Sequence, residues 1–225
     1  MDSEQVQEYL FNQFQYKLFS KRDIDISQIQ MDNKHLNTVL NRLVKQKILL
    51  SFDIPGIYQF TKWGQVFGNN VIINKAGRDE LLSFMYIGNN SGYYYGNSLL
   101  EYLGISTQIP RVLFIGSNNV TRKLEKTIDQ LPVTITPTYC SITSSNKRLL
   151  QVLDTLAMPG MTSVEGYSEN EVVEKMAKYV LSTNISNNEA RQAFLSYPGT
   201  KLKKFVRLGI YDKIIFKDNR VPILN

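Results

Sequence analysis

The sequence predicts an α+β chain, with a helix-rich N-terminal module over 1–70 and a mixed α/β domain over 71–225. Three observations carry this expectation. Apolar residues recur at helical spacing through 3–47 and then give way to a β-rich run broken by Pro55-Gly56. Further on, the strand-like runs "GYYYG", "RVLFIGS" and "VTITPTY" alternate with helix-like ones. The apolar share of 43% matches that of globular domains, enough to build a core.

The first element is a helix over 3–16, where Val6, Tyr9, Leu10 and Phe14 fall on one side and Ser3 is placed to cap it. The stretch "LFSKRDID" breaks that pattern. Ser20 or Asp23 then caps a short second helix around 24–30, presenting Ile24, Ile26 and Ile29. A third helix over 31–47, with Asp32 as N-cap, carries Leu36, Val39, Leu40, Leu43 and Val44 as an amphipathic stripe. Strands at 48–52 and 57–60 flank "DIPG" and form a hairpin. Helix, short helix, amphipathic helix and hairpin, in that order, make a winged helix-turn-helix.

In such a module the third helix enters the major groove and the hairpin touches the flanking backbone. The face it would offer carries Asn33, Lys34, Asn37, Thr38, Asn41, Arg42 and Lys45. Asn and Arg read adenine and guanine edges through paired hydrogen bonds. Lys34, Lys45 and Lys47 suit phosphates, as do Lys21 and Arg22 ahead of the second helix. His35, the sole histidine, reads as a surface residue at the helix start.

Charge bears on this reading. The net charge is +6, but residues 1–70 hold eight Lys or Arg against seven Asp or Glu, whereas 201–225 hold seven against two. A near-neutral module weakens the DNA reading, because winged helices also serve as protein-binding adaptors. That adaptor is the alternative.

In the remaining chain, a turn is expected at Gly68-Asn69-Asn70, with Trp63 packing at the end of the wing and Asn74 capping a helix over 75–86. "GYYYG" reads as a short strand or turn, 98–103 as a helix stopped by Gly104, and "RVLFIGS" as a strand. Arg122, Lys123 and Lys126 form a basic cluster on a turn before the strand "VTITPTY". A helix at 146–158 buries Leu149, Leu150, Leu153 and Leu156. Ser168 and Glu171 make a capping box for a helix over 169–182. Asn187 or Asn188 opens the next helix, "YPGT" turns into "KLKKFVRLGI", and "KIIFK" at 213–217 reads as the last strand. Lys201 and Lys204 line one side of the "KLKKFVRLGI" helix, giving with Arg122 and Lys123 a possible second basic surface.

Little in the sequence calls for chemistry. No P-loop, dinucleotide fingerprint or nucleophile elbow occurs, and one His with one Cys makes neither the usual zinc sites nor a convincing nucleophile pair. Glu165, Glu169, Glu171 and Glu174 cluster on a loop and helix surface. A nuclease built from Asp, Glu and Lys is the remaining enzyme alternative, with Asp129 and Asp154 as carboxylates, though without the short spacing such sites use. The expectation is a chain that is not an enzyme and takes no cofactor and no metal. Cys140 stands alone, no 18-residue apolar run exists, and the opening "MDSEQVQEYL" lacks a leader pattern, so a cytoplasmic location without a membrane span is expected.

The block "GYYYGNSLLEYLGISTQIP" at 92–110, behind a leading winged helix, resembles the AbiEi-type antitoxins of abortive-infection (type IV) toxin–antitoxin systems. That family carries "G-x-Y-x-G-x-S-A-L-x-x-L-G-L-T-T-Q-x-P", a strand ending in a small polar cluster, matched by Val112 to Asn119, and a helix of the type "A-L-L-D-x-L-x-x-P", matched by "LLQVLDTLAMP". Leu99 stands at the family's small position, and Ser106 replaces its first threonine. The resemblance implies two domains. The N-terminal one would bind inverted repeats in the promoter of its own operon and repress it. The C-terminal one would neutralise a cognate toxin of nucleotidyltransferase type. The tyrosine-rich block would then be a folding signature with no chemistry of its own.

Overall fold

The computed structural model describes residues 1–61 and 75–215, a mixed α+β chain with ten helices and two small sheets among them. Trp63, the turn at 68–70, Asn74 and the end of the 213–217 segment lie outside the described residues. The chain divides into two compact units, Met1–Phe84 and Met85–Asn225.

In the first unit α1 spans Ser3–Phe14. Its cap is Asp2, one residue before the expected Ser3: the Asp2 carboxylate accepts from the Glu4 and Gln5 amides at 2.9 Å, and Gln5 reaches back to the Asp2 amide. Ser3 is already helical, so its hydroxyl sits too late to serve. β1, Phe19–Ser20, leads into a 3-10 turn at Lys21–Asp23, whose reciprocal cap is Ser20 with Asp23. Asp25 caps α2, Ile26–Ile29, and Asp32 caps α3, Asn33–Lys45. β2, Leu49–Ser51, and β3, Ile57–Phe60, pair antiparallel across a loop in which Gly56 takes a left-handed φ of +82°. β1 adds to the other side of β3, giving the order β1-β3-β2.

The core of this unit follows from periodicity. Leu36, Val39, Leu40 and Leu43 of α3 are buried with Val6 and Leu10 of α1, Ile24, Ile29, Leu49 and Phe60. Each such side chain contributes about 1.5–3 kcal/mol on burial. Aromatic rings fill the rest: Phe14 stacks on Phe19 at 4.4 Å, and Phe11 meets Phe60 edge-on at 5.4 Å. α4, Arg78–Leu82, is shorter than the helix expected over 75–86 and runs on as a π-helical turn, Ser83–Ile87.

The second unit holds β4 Gly92–Tyr95, α5 Asn97–Tyr102, β5 Leu113–Ser117, β6 Leu124–Ile128 and β7 Leu131–Pro137. Then come α6 Lys147–Ala157, α7 Glu169–Leu181, α8 Asn187–Leu195, α9 Gly199–Arg207 and α10 Ile210–Ile214. The sheet order is β4-β5-β7-β6, with β5 and β7 parallel and the outer pairs antiparallel. The core joins Leu149, Leu150, Leu153 and Leu156 of α6 to Val172, Val173 and Met176 of α7, Phe194 and Phe205. Ser168 and Glu171 form the expected capping box on α7. Gly104, at φ +62°, closes α5 in a Schellman motif, with Ile105 N–H donating to the Leu100 carbonyl at 2.8 Å.

Two expectations are corrected here. Residues 124–128 are a strand, because β7 offers an edge and a tight turn at Asp129-Gln130, with φ of 46° and 64°, folds them back. The start of "KIIFK" is the end of α10, because Ile210 and Ile214, four apart, bury together on the side packed against α7 and α9. α8 opens at Asn187, as expected, with Ser186 as its cap.

Candidate nucleic-acid interface

α3 is held at both ends and along its inner face, and its outer face is open. Asp32 accepts from the His35 amide at 2.7 Å and lies 2.9 Å from His35 Nδ1, and these hydrogen bonds hold its carboxyl below the usual range. His35 is thus part of the helix start. Asn33, Lys34, Asn37, Thr38, Asn41, Arg42 and Lys45 are all exposed. Among the described residues the side chains of Asn33, Lys34, Asn37, Asn41 and Lys45 have no hydrogen-bond or ion-pair partner. Two members of the face do have partners: the Thr38 hydroxyl donates to the Lys34 carbonyl at 3.1 Å, and Arg42 Nη2 donates to Ser3 Oγ of α1.

The neighbouring elements carry the other expected contacts. Lys21 is half-buried and Arg22 exposed on the 3-10 turn, and the Lys21 amide donates to the Gly56 carbonyl at 2.9 Å, tying that turn to the hairpin loop. The turn, α3 and the hairpin are thus one packed unit. They present amides and lysines with no carboxylate on α3 itself.

The residues expected to give a second basic surface lie ahead of β6 and on α9. Arg122 and Lys123 are exposed ahead of the edge strand β6, where Lys123 pairs with Glu125 at 2.5 Å. Lys201 and Lys204 on α9 turn onto their own unit. Lys201 donates to the Tyr139 hydroxyl at 2.8 Å with its ammonium 4.7 Å from that ring's centre, and Lys204 donates to the Met158 carbonyl at 3.0 Å.

Lys201 lines a cleft beside a second polar constellation, whose members no sequence spacing links. Asp154 on α6 is buried, and its two oxygens accept from Tyr93 at 2.7 Å and Tyr197 at 2.9 Å. Burial raises the Asp154 carboxyl above the usual range, with the two hydroxyls and Lys201 opposing it. Burial, reinforced by Asp154, pushes both tyrosines well above theirs. The group borders a cleft of about 140 Å³, also lined by Tyr95, Thr136, Tyr139 and Met158. Asp154 itself lines the cleft, with one tyrosine hydroxyl donating to each of its carboxylate oxygens.

Around Asp154, β4 is fastened to α6. The Gly96 amide donates to Thr155 Oγ1 at 2.8 Å, and Gln151 Nε2 donates to the Tyr94 carbonyl at 2.9 Å. A Cβ on Gly116 would come within 2.6 Å of the Tyr93 ring, so glycine there lets the ring lie flat on β5. At the end of β5, Ser117 Oγ donates to the Tyr86 carbonyl at 2.7 Å, and Asn119 Nδ2 to the Met85 carbonyl at 2.9 Å. Asp129 sits on the hairpin turn, apart from this network. Among the described residues no three His, Cys, Asp or Glu side chains gather closely enough to hold a metal ion, and no helix is long and apolar enough to cross a membrane. No family model matches the chain, and no curated protein matches it.

Proposed function

We propose that this chain is a DNA-binding autorepressor and antitoxin, with a winged helix-turn-helix in its N-terminal unit and a toxin-neutralising C-terminal unit. The observation that carries the reading is the outer face of α3, where amides and lysines without partners among the described residues are backed by a hairpin tied to the preceding turn. Exposed amides of this kind match base edges, and the lysines at either end suit phosphates. In this reading Lys21 and Arg22 extend the phosphate contacts, and the site binds inverted repeats ahead of the chain's own gene.

Membership of the AbiEi-type antitoxins is part of the same proposal. It is supported by how the quoted blocks meet: "GYYYG" and "LLQVLDTLAMP" are joined through Tyr93–Asp154, Gly96–Thr155 and Tyr94–Gln151. The tyrosine block then acts as a structural joint, and the chain works by binding rather than catalysis. Its partners are promoter DNA and a cognate nucleotidyltransferase-type toxin.

The test is a salt titration of the full chain against a duplex from upstream of its own gene, followed by fluorescence anisotropy. Affinity should fall linearly on a log–log plot, and Lys34→Ala should flatten the slope by about 0.9. Affinity that is weak and indifferent to salt contradicts the repressor reading and favours a protein-binding adaptor. Co-expression with the nucleotidyltransferase toxin tests the other half: growth should be restored by the full chain, and unrelieved toxicity contradicts it.

A further inference from the structure

We infer that the α3 face selects A·T base pairs in the major groove, with Asn41 as the principal reader and Asn37 and Thr38 beside it. This rests on the DNA-binding reading above and names the bases that reading would recognise.

The buried side of α3, Leu36, Val39, Leu40 and Leu43, fixes which residues point outward. At 100° per residue, the line opposite the core runs through Lys34, Thr38, Asn41 and Lys45, with Asn37 adjoining Asn41 one turn earlier. Lys34 and Lys45 are separated by about 16 Å along the axis, so they bracket the amides and reach for backbone on either side. The centre of the face is therefore neutral. Asn41 and Asn37 each offer a donor and an acceptor from one amide, the pattern that pairs with adenine N7 and N6. Thr38 has committed its hydroxyl proton to the Lys34 carbonyl, which leaves its methyl group for apolar contact, as on the thymine methyl.

The other bases lack a partner at the centre of this face, because Lys34 and Lys45, which could read guanine, stand at its two ends. Guanine presents two acceptors and is read by Arg or Lys, but the one guanidinium of α3 is held on Ser3 of α1, off the midline. Cytosine presents a donor and is read by Asp or Glu, yet α3 contains neither. Asp32, at its cap, is engaged by His35.

The experiment selects duplexes from a randomised pool with the full chain, then measures affinities of the recovered sites. The recovered core should be A·T, and exchanging a core A·T pair for G·C should weaken binding about 5- to 150-fold. Asn41→Ala should erase most of that difference, and Asn41→Arg should move the preference toward guanine. Replacing core adenines by 7-deazaadenine, which removes only the N7 acceptor, should weaken binding comparably. A core of G·C pairs sensitive to Asn41→Ala, or full affinity for the 7-deaza duplex, overturns the inference while leaving DNA binding intact. Absence of salt-dependent binding to any duplex overturns the DNA reading itself, and this inference with it.

Discussion

Asn41 and Asp154 are both polar residues on amphipathic helices, and their surroundings are opposite. Asn41 is exposed with no hydrogen-bond partner among the described residues, on a helix whose apolar side is packed. Asp154 is buried between two tyrosine hydroxyls, with Lys201 close enough to oppose the rise in its carboxyl. The contrast separates recognition from construction. An exposed amide can exchange water for a base edge at little cost. A buried carboxylate is retained only because hydroxyls satisfy it, so its interactions are already made and they fasten β4 and the segment before α9 to α6. Neighbouring contacts extend the contrast. Arg42 and Thr38 are exposed yet engaged, and Lys201 and Lys204 are cationic yet folded onto their own unit.

Breaking the buried side should have the largest effect. Asp154→Ala leaves two buried hydroxyls without an acceptor, at about 1–3 kcal/mol each, so urea denaturation should show a loss of about 2–6 kcal/mol. An unchanged midpoint would mean that the network is incidental to the fold. Gly116→Ala forces a methyl group against the Tyr93 ring and should cost about 1–3 kcal/mol in the same measurement. Smaller still is the pH term. Because the folded Asp154 carboxyl is raised above its ordinary value of 3.8, its stabilising contribution is complete below 3.8 and is lost as pH rises through the folded value. Denaturation midpoints taken across that window should show a fall with pH that Asp154→Asn lacks. Identical pH profiles would contradict this assignment.

The sequence displayed these two regions unequally, for physical reasons. The stripe Leu36, Val39, Leu40, Leu43 is periodic within one helix, and caps such as Asp32 and the Ser168–Glu171 pair are local chemistry, so they were legible. The seven outward residues of α3 followed from the same period. The Asp154 network depends on Tyr93 and Tyr197, 61 and 43 residues away in the chain, and no spacing rule links them. β6 carries Glu125 and Lys126 in a charged edge strand and owes its form to β7, so a charged turn was the natural reading of that stretch. The start of "KIIFK" reads as strand by its β-branched residues, yet burial of Ile210 with Ile214 outweighs that preference. Helical phase alone puts Lys201 and Lys204 on a cationic exterior and does not show that their long stems fold back onto Tyr139 and Met158.

The most direct measurement makes Asn37→Ala together with Asn41→Ala in the full chain and records unfolding free energy and duplex affinity on the same preparation. The account predicts stability within about 0.5 kcal/mol of the parent, as for exposed substitutions, alongside a loss of about 5-fold or more in affinity for the chain's own upstream duplex. Unaltered affinity with unaltered stability would show that the amides of α3 touch nothing, and the recognition role given to this face would be wrong.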